Sequence, residues 1–201
     1  AFGHAPHYLL AESQGGEIRG VLPLAHVKSM LFGNALVSTP FCVYGGIAAD
    51  TDEARAMLDQ AAHVLACELR VGHLEYRNVE RSHTDNPYWH VKPLYVTFRK
   101  AISGDDEENL NAIPRKQRAM VRKGIKNDLR SDIDVNVDRF FALYADNVHR
   151  HGTPALPKRY FQALCSTFGK DCEVLTVSAP DGRPLSSVLS FYFRDEVLPY
   201  Y

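Results

Sequence analysis

Apolar residues recur at helical spacing between residues 54 and 69, in the most periodic segment of the chain. They would share one face of a helix that turns by about 100° per residue. Thr51 or Asp52 can cap the start of this helix, and Gly72 can end it. The face consists of Ala54, Met57, Leu58, Ala61, Ala62, Leu65 and Leu69.

Strand-like segments flank this predicted helix. Residues 7–13 and 17–29 enclose the sequence QGG, which is typical of a hairpin turn. A buried strand is predicted over 34–46, and two more strands over 73–79 and 94–102. The first half of the chain therefore runs strand, strand, strand, helix, strand, strand.

The second half has a different order. After an acidic helix start near Asp105, Pro114 should kink the helix or restart it. A strand follows from about Ser131, and then two helices, each ended by a glycine. Three antiparallel strands, two of them joined by an Asp-Gly turn, complete the chain near Tyr201.

Composition limits the class of protein. The chain has 201 residues, of which 45% are hydrophobic and 23% charged, as in soluble globular proteins. Its 23 Lys and Arg residues against 24 Asp and Glu exclude a surface built wholly to wrap nucleic acid. No apolar run reaches the roughly 20 residues of a transmembrane helix, and no signal peptide is visible. Because the chain opens without Met and stops within a predicted strand, we expect a fragment.

The cysteines and histidines predict no metal site. Cys42, Cys67, Cys165 and Cys172 form no C-x-x-C pair. We expect reduced core thiols, which fits a cytoplasmic protein. None of the nine histidines belongs to a zinc-binding motif.

The segment IPRKQRAMVRKGIKN, residues 113–127, concentrates positive charge in a chain of net charge -1. On a helix its bases form a stripe of roughly 160°, with no acid among them for i,i+4 pairing. Arginine suits phosphate because its planar fork donates two parallel hydrogen bonds. The stripe is either a solvated face or a site for an anionic substrate. It contains Arg115, Lys116, Arg118, Arg122, Lys123 and Lys126.

The other side of this helix is expected to pack against a domain. Ile113, Met120, Val121 and Gly124 fall opposite the bases, together with Gln117. The helix would then present only its cations to a ligand.

Further candidates for chemistry lie near the end of the chain. His151 follows Asn147 and His149 at a helix end, where it either orders the turn or acts as a general base. Ser190 and Tyr192 share one face of a strand, and Tyr200 follows. These tyrosines either fill a half-buried sheet or position substrate and protonate a leaving group. No G-x-S-x-G motif supports a serine nucleophile.

The order of elements resembles two incomplete GNAT acyltransferase domains, the second half of one followed by the first half of another. Three stretches, IPRKQRAMVRKGIKN, HRHGTPALPKRYFQAL and LSSVLSFYFRDEVLPYY, are similar to FemAB-type transferases. The closest likeness is to the branch associated with PEP-CTERM and exosortase loci. This resemblance implies an α+β fragment of two GNAT-like domains with mixed, mainly antiparallel sheets and flanking helices.

The resemblance also implies the domain plan. Residues 1–104 would be the C-terminal part of a first domain, 105–128 a basic connecting helix, and 129–201 the N-terminal part of a second domain. The chain departs from ordinary GNAT enzymes because it lacks the Q/R-x-x-G-x-G/A loop that holds coenzyme A pyrophosphate. It also lacks the coiled-coil arm of some Fem ligases.

The implied activity is transfer of an acyl or aminoacyl group to an amine of a phosphate- or nucleotide-linked envelope or polysaccharide precursor. Acyl-CoA or aminoacyl-tRNA would be the donor, and no permanently bound cofactor is implied. Arg115, Lys116, Arg118, Arg122, Lys126, Ser190 and Tyr200 would bind substrate, and His151 and Tyr192 are the candidate catalytic residues.

A different class of function stays open from the residues alone. The basic helix could belong to a noncatalytic module that binds nucleic acid or anionic lipid. Aromatic residues do not interleave with its bases, which counts against binding of single strands. Binding to a nucleic acid would weaken steeply with salt because bound counterions are released.

Overall fold

The computed structural model describes residues 2–31, 33–93 and 95–201. Its internal contacts divide the chain into two compact units, residues 2–97 and residues 98–201. The basic segment groups with the second unit. Each unit contains one sheet and its own buried apolar cluster.

The sheet of residues 2–97 is built around a long hairpin. Strands β1 (Ala5–Glu12) and β2 (Ile18–Ser29) pair antiparallel, as the turn sequence predicts. On its other side β2 pairs with β3 (Gly33–Ser38) and with the two-residue β4 (Ala48–Ala49). The short β5 (His73–Glu75) pairs parallel with β3 and completes the sheet.

One helix, α1 (Asp52–Glu68), covers this sheet. The Thr51 hydroxyl accepts a hydrogen bond from the Ala54 N–H at 3.1 Å, which confirms the predicted cap. Leu58 is 2% exposed and lies so close to β2 that a Cβ on Gly20 would stand 2.8 Å from its Cδ1. A side chain at position 20 would therefore push helix and sheet apart.

The second unit begins with two helices, α2 (Asp106–Asn111) and α3 (Arg115–Ile125). Its sheet has the antiparallel order β6 (Arg130–Ile133), β7 (Cys172–Ser178), β8 (Pro184–Phe193) and β9 (Glu196–Pro199). Between β6 and β7 run α4 (Asp138–Arg150) and α5 (Lys158–Phe168). The predicted sequence of strand, two helices and three antiparallel strands is confirmed.

Aromatic side chains join the two helices α4 and α5 to one face of this sheet. Phe140 and Phe161 are 1% and 0% exposed, with ring centroids 5.0 Å apart in an edge-on arrangement. They pack with Val174 of β7 and Leu189 of β8, which are also buried. Alternation along each strand leaves the intervening residues on the opposite face.

A polar network ties the start of α4 to the same sheet. The Asp134 carboxylate, 5% exposed, accepts hydrogen bonds from the Arg139 guanidinium and from the Thr176 hydroxyl at 2.9 Å. Thr176 is fully buried and also bonds to the Ser187 hydroxyl at 2.8 Å. Every buried polar group of this network therefore has a partner.

The structure corrects several expectations drawn from the pattern. The strands predicted over 34–46 and 73–79 end at Ser38 and Glu75. Residues 95–102 form no strand, and Leu94 lies outside the described residues. Helix α1 ends at Glu68, before Gly72, because Arg70 already adopts a left-handed φ of 50°. Cys42 and Cys67 are exposed, so core burial of the thiols holds only for Cys172 and, in part, Cys165.

Two kinds of feature are absent from the described residues. No helix within 2–31, 33–93 and 95–201 has the length and apolar character needed to cross a bilayer. The same residues contain no group of three or more His, Cys, Asp or Glu side chains arranged to hold a metal ion.

Replacing Phe161 with alanine should destabilise the second unit by about 3–5 kcal/mol, because it leaves a cavity between the helices and the sheet. Urea unfolding followed by circular dichroism measures the change. Phe193→Ala is the control, since Phe193 is 70% exposed and should cost less than about 1 kcal/mol. Equal destabilisation by the two substitutions would contradict the assigned core.

Candidate functional site

Pro114 separates the two helices that carry the charged segments. Helix α2 ends at Asn111, and Pro114 occupies the N-cap of α3 with φ -53° and ψ 141°. The prediction that the helix restarts here is confirmed. Because proline has no N–H and presets its φ angle, it ends one helix without disturbing the start of the next.

The basic face of α3 forms an open groove of about 620 Å³. No carboxylate of the described residues lies within 4.0 Å of its cations. The unbalanced charge favours an anion there. Lys116 does not line the groove, whereas Lys123 does. The lining residues are Arg115, Arg118, Ala119, Arg122, Lys123 and Lys126.

Arg118 differs from the other bases of the groove. Its Nη1 donates a hydrogen bond to Asn111 Oδ1 at 2.9 Å, which fixes the guanidinium against the end of α2. Its Nε is shielded from solvent and has no hydrogen-bond partner among the described residues. An unsatisfied donor of this kind is costly.

The apolar side of α3 does not pack as predicted. Met120 is 64% exposed and Val121 41%, and the helix has no buried residue. Neither apolar cluster includes a residue of α3. The spacing of residues sets which side of a helix is apolar, but it does not specify a surface that covers that side.

The second candidate region is the face of the sheet opposite α4 and α5. Ser190 of β8 is 8% exposed and pairs in register with Glu173 of β7. Tyr192, two residues along the same face, lies close enough to Glu173 for that side chain to influence its phenol. The structure thus brings together Ser190, Tyr192 and Glu173.

Desolvation and the neighbouring Glu173 both favour the protonated phenol of Tyr192. Desolvation, reinforced by the negative charge of Glu173, raises the pKa of Tyr192 above its ordinary value. The Tyr192 phenol, a proton donor at neutral pH, thus stands beside the carboxyl side chain of Glu173. Such a pair can accept a proton from one reactant and give one to another.

Tyr200 does not join this pair. The Tyr200 N–H donates to the Leu189 carbonyl at 2.9 Å, and the Tyr201 N–H donates to the same carbonyl at 3.3 Å. Two residues therefore lie opposite Leu189, which is a β-bulge. The Tyr200 ring contacts Phe191, which packs with the helix-side core, whereas Tyr192 lies on the opposite face. Sequence alternation alone did not reveal the bulge.

Among the described residues, no polar side chain contacts the His151 imidazole in a way that would activate it as a base. It caps the C-terminal end of α4, where its N–H donates to the Asn147 carbonyl at 3.2 Å. The residue is exposed, and Gly152 follows with φ 74°. This placement matches the turn-ordering role considered for His151.

Two relevant residues were missed by reasoning from the sequence. Glu173 was detectable only through strand register, which places it beside Ser190 and near Tyr192. Tyr201 enters the core, and its hydroxyl bonds to that of Tyr160 at 2.9 Å. A bulge shifts side-chain alternation by one residue, so counting along β9 does not predict this burial.

Residues 111–201 match the family model of the acetyltransferase (GNAT) domain, and the match includes all of α3 and the whole four-stranded sheet. The chain is also similar in structure to the crystal structure of FemX, with a TM-score of 0.51 and 18% sequence identity. That match covers 87% of this chain and 48% of FemX, so the chain spans about half the FemX length. At this identity the likeness shows a shared fold. Among curated proteins, none matches the sequence.

Replacing Glu173 with glutamine should lower the pKa of Tyr192, because it removes the negative charge that opposes the phenolate. Desolvation remains, so the pKa should not fall below its ordinary value. Tyrosinate absorbance against pH measures the pKa. Because the chain has ten tyrosines, the titration curve of a Tyr192→Phe variant is subtracted to leave the signal of Tyr192. Asp181→Asn, at an exposed turn, is the control and should leave the Tyr192 titration unchanged. An unaltered titration in Glu173→Gln would show that the two side chains do not interact.

Proposed function

We propose that this chain belongs to an acyltransferase that forms an amide on an amine of a phosphate- or nucleotide-linked precursor. The match of residues 111–201 to the GNAT acetyltransferase domain supports the reaction class. The observation that carries the substrate assignment is the groove on α3, whose cations have no carboxylate partner among the described residues. An acyl-CoA thioester or an aminoacyl-tRNA would supply the acyl group.

The groove binds the phosphate part of the substrate in this proposal. Six side chains of α3 and its C-cap line this open groove of about 620 Å³. Arg118 and Arg122, one turn apart, would each fork a phosphate, and Lys126 would add a movable charge.

The opposite sheet face supplies the proton transfers. The acceptor amine attacks the carbonyl carbon of the donor, and a new C–N bond forms as the bond to the thiolate or tRNA oxygen breaks. Glu173 takes the proton released by the amine, and Tyr192 gives its proton to the leaving group. The proton can then pass from Glu173 to Tyr192, since the two side chains are neighbours on this face. Direct aminolysis of this kind requires no covalent enzyme intermediate.

We further assign the chain to the FemAB type, in the branch associated with PEP-CTERM loci and exopolysaccharide production. The three sequence stretches support this assignment, as does the fold shared with FemX. In this plan residues 1–104 and 129–201 belong to two GNAT-like domains, joined by the basic segment 105–128. The substrate would be a small phosphorylated molecule or one linked to a carrier.

Replacing Arg118 or Arg122 with lysine should weaken binding of a nucleotide sugar by about 1.5–3 kcal/mol for each charge-assisted hydrogen bond removed. Lysine keeps the charge but cannot donate two parallel hydrogen bonds. Calorimetric titration with UDP-N-acetylglucosamine measures affinity, and thermal unfolding should change little because α3 has no buried residue. Arg159→Lys, on an exposed position of α5, is the matched control.

Three results would contradict this proposal. Unchanged affinity in both variants would make the groove a solvated face. Tight binding of unrelated RNA that weakens by orders of magnitude between low and moderate salt would favour a nucleic-acid module instead. Early unfolding of both variants would assign the charges a structural role.

A further inference from the structure

A cluster of polar and aromatic side chains in the unit of residues 2–97 has no part in the proposed function. It lies where the loop after β5 meets α1. The His83 imidazole stands between two hydrogen-bonding groups: its Nε2 is 2.9 Å from Asp59 Oδ2, and its Nδ1 is 2.9 Å from Ser82 Oγ. Hydrogen bonds thus connect a carboxylate, an imidazole and a serine hydroxyl in sequence.

The contacts of this cluster fix the direction of each proton. The Asp59 carboxylate only accepts, so Nε2 of His83 carries the proton and Nδ1 is free to accept. Asn78 Nδ2 donates to Ser82 Oγ at 2.6 Å, which occupies a lone pair of that oxygen. The Ser82 hydroxyl proton is therefore left to point at Nδ1 of His83.

Asp59 and the imidazole are both held in place. The Tyr76 hydroxyl donates to the other Asp59 oxygen at 2.9 Å, and desolvation together with the Asp59 charge raises the pKa of Tyr76, so it remains a donor. Trp89 stacks on the His83 ring with centroids 4.3 Å apart and planes 16° apart. His63 lies nearby, with its Nε2 4.0 Å from Asp59 Oδ2.

The backbone at His83 supports a functional interpretation. His83 has φ 58°, in the left-handed region that non-glycine residues adopt rarely and at a cost. Such strained residues concentrate at functional sites. The side chains of Asp59 and His83 are 23% and 20% exposed, whereas Ser82 is exposed and open to a reactant.

We propose that Asp59, His83 and Ser82 form a relay that makes Ser82 a nucleophile toward activated esters, such as thioesters and aryl esters. Ser82 Oγ attacks the carbonyl carbon, and its proton moves to His83 Nδ1. The ester bond then breaks, and the leaving thiolate or aryloxide takes that proton. Asp59 is a positioning residue, which holds the ring and stabilises the imidazolium. Water attacks the acyl-serine with the same base and restores Ser82.

The test is acylation of the whole chain by p-nitrophenyl acetate and labelling by a fluorophosphonate probe, with the modified residue located by peptide mass spectrometry. Both reagents should modify Ser82. Ser82→Ala should abolish the label, and His83→Gln should slow it by about 10²–10⁴-fold, the usual contribution of a general base. Thr84→Ala removes a neighbouring exposed hydroxyl of the same loop and should label at the normal rate.

Asp59→Asn separates catalysis from loop structure. With the neighbouring carboxylate gone, the imidazolium is less stable, so the labelling rate should fall and its pH profile should move to lower pH. A purely structural role would alter thermal unfolding and the fluorescence of Trp89, the one tryptophan of the chain, without a pH shift of labelling. No label on Ser82 in the unaltered chain, or equal labelling of Ser82 and Thr84, would overturn the proposal.

Discussion

Burial of Phe140 and Phe161 against Val174 and Leu189 is the constraint on which the second unit depends. This packing places α4 and α5 on one face of the four-stranded sheet. Because side chains alternate along a strand, the same packing directs Ser190, Tyr192 and Glu173 to the other face. The candidate proton-transfer pair is therefore a consequence of where the aromatic core lies. The Asp134 network reinforces this choice by binding α4 to β7 through buried Thr176.

The basic helix adds little to stability. None of its residues is buried, and its cations have no carboxylate partner within the described part of the chain. Because these cations form no ion pair within the described residues, they are available to bind an anionic ligand.

The two units present chemistry of different kinds. The second unit pairs a carboxylate with a phenol on a sheet face, which suits direct transfer of an acyl group to an amine. The first unit lines up Asp59, His83 and Ser82, an arrangement that suits a covalent acyl intermediate. These sites lie on separate elements and use separate residues, so each proposal can fail without the other.

The sequence by itself determined most elements. Helical periodicity located α1, glycine stops marked the ends of α4 and α5, and a Gly turn located the first hairpin. The uninterrupted bases located the groove on α3. It misplaced a strand over 94–102, because an apolar alternating segment forms a strand only where a partner strand is available. Tertiary structure alone decided the rest: register placed Glu173 beside Ser190, and a bulge turned Tyr200 away from Tyr192. Contacts between residues far apart in the chain, such as Asp59 and His83, depend on how elements pack, and no local pattern encodes them.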